Sequence, residues 1–401
     1  MQGEINSDAD NKAACPLICF PIFCISAKLL QMVAIEDKLS QVNWDFPDSD
    51  TKENINSIHP YPAKFIPEIP RNLIRLIGLP PGTCVLDPFC GSGATLVEAQ
   101  MAGFPAIGID LNPIACLISQ VKTRPLPADF LESSISVVEQ AKKSKRTAVP
   151  KISNLDHWFQ RDIQEAIARL LTQVDHIKNA STKDALYLSL SSILVRVSNQ
   201  ESDTRYAAVH KKVDRESFYA LFLNTAARLT AIKALNKPKT NEVEIACKNI
   251  LEVTPMDFPH SVGLVVTSPP YPNAYEYWLY HKYRMFWLGY DPIQVKNQEI
   301  GARAHYFKKN HQTEHDFRRQ MRNVLELLWA VIVKGGCICI IIGRSIIHGR
   351  TIDNASMLTE IAGEVGFTSV GNISRQISSS RKTFNLSHAN IKTENILVFR
   401  K

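Results

Sequence analysis

The sequence predicts an α/β fold, a doubly wound seven-stranded sheet interrupted by a large, mainly helical insertion. Three observations carry that expectation. Short apolar runs that end in an acid or a small polar residue alternate with helix-like segments at both ends of the 401-residue chain. The first run is followed at once by the turn Gly91-Ser92-Gly93. No glycine occurs between Gly108 and Gly263, so the middle of the chain is a different kind of sequence. An interior glycine costs a helix about 1 kcal/mol, and a stretch without any suits helices.

Taken in order, residues 83–87 (Thr-Cys-Val-Leu-Asp) read as a buried strand, 88–93 as a glycine loop and 94–101 as a helix. Residues 106–110 form a second strand ending in an acid, and 112–120 a second helix. Beyond the middle region, 244–247 and 263–267 read as buried strands. A long amphipathic helix spans about 314–333 and stops at Gly335-Gly336. Residues 337–342 make a fully apolar strand, 357–365 a helix before Gly366, and 368–373 and 395–399 two late strands. That makes seven strands in two blocks.

The insertion shows helical spacing in Ile163, Ala166, Ile167, Leu170, Leu171 and Val174, in Leu186, Leu190, Ile193 and Leu194, and in Phe222, Ala226 and Leu229. Residues 121–240 hold 20 Lys and Arg against 12 Asp and Glu, an excess of eight, whereas the whole chain is +7. The positive charge therefore resides in the insertion, densest at Lys142, Lys143, Lys145 and Arg146. A solvated linker and a polyanion contact are both open readings of that cluster.

Hydrophobic residues at 45% and charged residues at 21% exclude a disordered or collagen-like chain. The nine cysteines are odd in number, without a CxxC pair or a zinc-ligand cluster. They read as reduced thiols in a cytoplasm, with no metal site. The apolar run 15–25 is broken by Pro16 and Pro21 and falls short of the about 20 residues that span a membrane. Acidic residues ahead of it argue against a signal peptide. Residues 1–45 are expected to be a disordered or loosely packed extension, with Met32 as an alternative start.

Chemistry concentrates in two places. In Asp87-Pro88-Phe89-Cys90-Gly91-Ser92-Gly93, glycines at a strand-to-helix turn let a ligand approach the backbone, and Asp110 can accept bonds from both hydroxyls of a ribose. Leu96 stands where a dinucleotide fingerprint wants its third glycine, which disfavours a nicotinamide dehydrogenase. The second place is Thr267-Ser268-Pro269-Pro270-Tyr271, directly after an apolar strand. Two prolines fix the backbone and remove two N–H donors. Such a turn suits a planar, amine-bearing base: Tyr271 stacks on the ring, while Ser268 and the Pro269 carbonyl accept from its NH2.

With both motifs in place, the sequence resembles the S-adenosylmethionine-dependent DNA amino-methyltransferases, enzymes that make N4-methylcytosine or N6-methyladenine. Asp87–Gly93 is similar to their cofactor motif, Thr267–Tyr271 to their catalytic motif, and His59-Pro60-Tyr61-Pro62-Ala63-Lys64-Phe65 to the segment that precedes the cofactor loop. The resemblance covers about 55–120 and 245–401 and implies a Rossmann-like methyltransferase domain built from 46–120 and 241–401, with 121–240 as a target-recognition region. It implies that Asp87, Phe89, Gly91 and Gly93 hold the methionine end of S-adenosylmethionine, closed by Lys64 and Phe65. Asp110 takes the ribose with Leu111 beside the adenine, Asp257 bonds the adenine amine, and Phe258 packs on its ring.

Ser268, Pro269, Pro270 and Tyr271 are the catalytic set, and serine rather than aspartate at 268 favours cytosine N4 over adenine N6. Tyr275 or Tyr277 is expected in the base pocket, although the aromatic run 273–287 also reads as a helix over the sheet edge. Arg375, Arg381 and Lys382 are candidates for phosphates, and Arg196, Asn199, Asp203 and Arg205 for base edges. Double-stranded DNA is the implied partner, with a cognate restriction endonuclease alongside in a bacterial modification system, and no metal or membrane. The competing readings are an RNA guanine-N2 methyltransferase and a non-catalytic nucleic-acid-binding module.

Overall fold

The structure is a computed structural model; it describes residues 35–401 except 48, 50–54, 64, 146–147, 204, 241, 274, 308–310 and 378–391. Helix α1 (Glu68–Ile77) leads into β1 (Cys84–Asp87), α2 (Ala94–Ala102), β2 (Ala106–Asp110) and α3 (Pro113–Thr123). Every residue of β1 is buried, as expected for a central strand covered on both faces. Gly108 makes the close cover possible, because a Cβ there would lie 2.5 Å from Leu96 Cδ1 of α2. Asn112 caps α3, its side chain accepting from the Ile114 N–H, with Pro113 at the first helical position.

The chain then leaves the sheet. Helices α4 (Phe130–Lys143), α5 (Leu155–Trp158), α6 (Arg161–Asp175) and α7 (Ala180–Val197) are followed by the hairpin β3 (Gln200–Ser202) and β4 (Arg205–Ala208), then by α8 (Arg215–Leu235). The apolar positions picked out by spacing, among them Ile163, Ala166, Leu170, Leu186 and Phe222, are buried in one cluster with Ile114 and Ile118 of α3. The excursion is tied off where it began: Lys233 Nζ donates to the carbonyls of Lys122 (2.8 Å) and Arg124 (2.7 Å).

Strands β5 (Val243–Cys247) and β6 (Val262–Thr267) follow, then α9 (Tyr277–Tyr280), α10 (Lys282–Trp287), α11 (Pro292–Gln298) and α12 (Glu314–Val331). The chain closes with β7 (Ile332–Gly343), a hairpin of β8 (Ser345–Ile347) and β9 (Arg350–Ile352), α13 (Asn354–Val365), β10 (Thr368–Gln376) and β11 (Thr393–Arg400). The sheet has seven strands in the order β10-β11-β7-β6-β1-β2-β5, all running the same way except β11, which is antiparallel to both β7 and β10, so the expected α/β architecture is present. From β1 the chain runs outward through β2 to β5, then returns to lay β6 on the other side of β1. The crevice at the carboxyl ends of β1 and β6 is thus the topological switch point, where such sheets bind ligands.

Three details differ from the sequence reading. Helix α12 ends at Val331, before the Gly335-Gly336 pair, which lies inside β7. The β6–β7 register jumps from Val262↔Ile332 to Leu264↔Cys337, and Gly335 at φ 84° absorbs the bulge. The 273–287 run breaks into α9 and α10, and Trp278, Tyr283 and Trp287 pack into the insertion's core rather than over the sheet edge. Residues 35–45 are not loosely packed: Leu39 and Trp44 are buried beneath α1 and the sheet. Residues 1–34 of the expected extension lie outside the described residues.

Candidate active site

A cavity of about 750 Å³ opens at the switch point, a size typical of small-molecule sites. Its floor is the strand ends. Asp87 closes β1, and Gly91 (φ 48°) and Gly93 (φ 77°) turn the chain into α2. The loop is held from outside, because Ser119 Oγ donates to the Gly91 carbonyl at 3.0 Å and Lys122 Nζ to that of Ser92 at 2.5 Å. A Cβ at Gly93 would lie 2.6 Å from Ser119 Oγ, so glycine there allows α3 to pack on the loop.

Asp110 ends β2, and its two oxygens accept from the Gly91 N–H and the Asn112 N–H, both at 2.8 Å. Each oxygen keeps a further lone pair for a ligand hydroxyl. The Asp87 carboxylate accepts from Thr267 Oγ1 at 2.6 Å and the Phe89 N–H at 3.1 Å. Thr267 is the last residue of β6, so the glycine loop and the Ser-Pro-Pro-Tyr turn are joined by one buried hydrogen bond. Ser268, Pro270 and Tyr271 line the cavity, while Pro269 is buried and does not. Of the other expected residues, Phe65, Phe89, Leu111 and Tyr275 line it too.

Burial shifts three carboxyl groups at this cavity. It lifts Asp87 and Asp110 to about 6 each, against the hydrogen bonds just described, and lifts Glu299 to about 8. Folded, each binds its proton more tightly than in the unfolded chain, so the stability it adds is present at low pH and lost as pH rises through these values. Lys233, held down to about 8 by burial, has the opposite sign and acts only above that pH. Calorimetric melting of the ligand-free protein should therefore show the melting temperature falling from pH 6.5 to 8, with a flat profile contradicting the shift at Glu299.

Several expected residues lie elsewhere. Asp257 does not line the cavity: its carboxylate caps Thr254 and pairs with Lys248 Nζ at 2.7 Å. Because Asp110 pairs in register with Cys247, the next residues, Lys248, Asn249 and Ile250, take the place expected for it. Phe258 packs into the core under α12 instead of at the cavity. Arg375, expected at a phosphate, lines the cavity instead. It is buried, with Nε donating to the Trp44 carbonyl at 2.8 Å and the guanidinium paired with Glu394. Arg196 is exposed at the end of α7, and Arg205 on β4 pairs with Glu201 at 3.0 Å; neither reaches the cavity. Lys142 of the basic cluster pairs with Glu216. Lys64, Arg381, Lys382 and Arg146 lie outside the described residues.

Sequence reasoning missed Glu299 and Glu394 and gave Tyr61 no role. Tyr61 stands over the glycine loop, its Oη 3.2 Å from where a Gly91 Cβ would be, and stacks at 6.0 Å on Tyr277, which also lines the cavity. Glu394 accepts from the Tyr271 hydroxyl at 2.9 Å. No local signal marks these acids, because each comes from a segment remote in sequence. Among the described residues, no group of three or more His, Cys, Asp or Glu side chains could hold a metal ion, and no helix is long and apolar enough to cross a membrane.

A glycine loop, an acid at the end of β2 with lone pairs to spare and a Ser-Pro-Pro-Tyr turn border one switch-point cavity of an α/β protein. Comparison with known proteins agrees. A family model described as DNA methylase matches residues 27–121. Type II methyltransferase M.MvaI of Kocuria varians is 26% identical over 271 residues, 59% of each chain. M.BsoBI of Geobacillus stearothermophilus is 25% identical, over 62% of this chain and 55% of its own. A tRNA (guanine(10)-N2)-dimethyltransferase of Methanothermobacter thermautotrophicus is 35% identical, but over only 16% of this chain and 20% of its own. Over these stretches the chain is similar to the DNA amino-methyltransferases, and it spans little more than half the length of the two type II relatives.

The family's cofactor is S-adenosylmethionine, and the residues present fit it. That molecule carries one net positive charge. Asp87, Asp110 and Glu299 border the cavity, and among the described residues none of the three has a Lys, Arg or His ion-pair partner. The remaining charges are matched: Arg375 with Glu394, and Lys248 with Asp257.

Proposed function

We propose that this protein is a site-specific DNA methyltransferase that moves the methyl group of S-adenosylmethionine to the exocyclic amine of a base flipped out of duplex DNA, cytosine N4 in the first place. The observation that carries this is the hydrogen bond from Thr267 to Asp87, which sets Ser268 beside the cofactor loop within one cavity. When bound, the cofactor supplies an activated methyl group as an electrophile.

The chain's own residues then have defined work. Asp110 and the Gly91 backbone orient the nucleoside, with Leu111 and Ile250 against its base; Asp87, Phe89 and Phe65 border the methionine side. The exocyclic amine is a poor nucleophile because its lone pair is delocalised into the ring. Accepting its N–H bond at Ser268 Oγ favours a tetrahedral nitrogen and localises that pair. Tyr271, anchored through Glu394, offers a ring face to the base with Tyr275 beside it. Alignment provides most of the acceleration, and extrusion of the base from the stack costs a few kcal/mol.

The two stretches 46–120 and 241–401 form the catalytic domain, and 121–240, with its excess of positive charge, serves as the target-recognition region. Arg196 and Arg205 lie on its exposed surface, where phosphate contacts would be made. A cognate restriction endonuclease is the protein partner that fits this activity, and the cytoplasm the compartment. Purified protein should transfer labelled methyl to duplex DNA, and nucleoside digestion should show N4-methylcytosine. N6-methyladenine in its place would reassign the base, and label on RNA alone would overturn the DNA substrate.

A further inference from the structure

Glu299 belongs to none of the motifs, yet it holds a deliberate position. Its two oxygens accept from the Tyr277 N–H (3.0 Å) and the Trp278 N–H (2.8 Å), so the carboxyl is fixed rather than rotating. The segment that carries it lies over the catalytic turn: a Cβ at Gly301 would be 3.1 Å from Pro272 Cα and 3.3 Å from the Tyr271 carbonyl, and Asn273 N–H donates to the Gly301 carbonyl at 2.9 Å. On its other side, Tyr277 stacks on Tyr61, which covers the glycine loop next to Asp110. Glu299 thus borders the middle of the cavity, between the ribose-binding acid and the residues that would hold the target amine. In the proposed function this is where the sulfonium must lie.

Resting on that reading, we propose that Glu299 is the residue that distinguishes the cofactor from its product: its carboxylate faces the sulfonium of S-adenosylmethionine and has no counterpart charge in the thioether of S-adenosylhomocysteine. Methyl transfer removes the sulfonium charge, so the same carboxylate that favours substrate binding ceases to favour retention of the product.

The surroundings support a carboxyl that changes state on binding. Burial first, then Glu276 and Asp110, hold its affinity for a proton high against the two backbone bonds. The ionisable groups about it are Asp110 from β2, Glu276 and Tyr277 from the segment leading into α9, and Tyr61. Lys296 of α11 points elsewhere, its Nζ 4.8 Å over the Trp278 ring. At pH 7 the carboxyl is largely protonated in the empty site. A cation at close range lowers a carboxyl pKa by about 1–3 units, so sulfonium binding drives the proton from Glu299 to the buffer, whereas the thioether leaves it in place.

The test is isothermal calorimetry on the full chain at pH 7, with S-adenosylmethionine and S-adenosylhomocysteine in buffers of different ionisation enthalpy. The wild-type protein is expected to release more protons with the sulfonium ligand than with the thioether. It should also prefer the sulfonium ligand increasingly as pH rises towards 8.5. Glu299→Gln should erase both differences, costing the sulfonium ligand about tenfold or more in affinity while S-adenosylhomocysteine stays within a few-fold, which also reports a folded site. Equal proton release by the two ligands in the wild-type protein overturns the inference without any variant. An unchanged ligand preference in Glu299→Gln overturns it too, and in both cases the methyltransferase reading stands. A wild-type protein that binds neither ligand overturns that reading itself.

Discussion

Replacing Ser268 by Ala should lower single-turnover methyl transfer by about 10²–10³-fold, the loss typical when one preorganised hydrogen-bond partner of a transition state is removed. S-adenosylmethionine affinity should change less than twofold, as measured by calorimetry on the same preparation. The separation follows from where Ser268 stands. It is one residue past Thr267, whose hydroxyl is committed to Asp87, and its own side chain faces the cavity. The hydroxyl also bonds the Tyr271 side chain, but Tyr271 keeps its bond to Glu394 when that is removed. Equal losses in turnover and cofactor affinity would show that the residue shapes the cofactor site, and undiminished turnover would remove it from the mechanism.

Asp110→Ala should have the opposite signature, weakening S-adenosylmethionine by roughly 10²-fold or more, since hydrogen bonds to a charged group are worth about 1.5–3 kcal/mol each. The carboxylate does two things at once. It fixes the Gly91 and Asn112 N–H groups and, in the proposed function, offers its remaining lone pairs to the ribose. Asp110→Asn separates these: one carbonyl oxygen can keep a backbone bond while the charge is lost. If affinity falls in Ala and is mostly recovered in Asn, the role is loop geometry; if both fall alike, the carboxylate binds the ribose directly. Unchanged affinity in both would end its assignment to the nucleoside.

The legible parts of this protein were those whose chemistry is local. The Asp87–Gly93 loop and the Thr267–Tyr271 turn each hold their residues within a few positions of one another, and both meet at the cavity. The strands themselves were legible for a related reason: buried parallel strands are short, apolar and bounded by turns. What escaped were pairings made across the fold. Arg375 reads as a loop cation because its partners, Trp44 and Glu394, lie on remote segments. Asp257 was chosen for its place ahead of a strand, but the β2–β5 register brings Lys248–Ile250 to the cavity and leaves Asp257 to cap a turn. Glu299 was silent for the same reason, since only the packing of Gly301 on Pro272 reveals that its segment roofs the catalytic turn.

The tie that Lys233 makes to the carbonyls of Lys122 and Arg124 has one more consequence. Everything from Arg124 to Lys233 departs from and returns to a single spot, and the strands on either side, β2 and β5, are direct neighbours in the sheet. The excursion can therefore vary in length or content without disturbing the register of any strand beneath it. Such an arrangement gives the excursion a single seam with the sheet. Chimeras joined at these two residues should retain the cofactor cavity where the new body also buries Trp278, Tyr283 and Trp287, which pack into the core of this one.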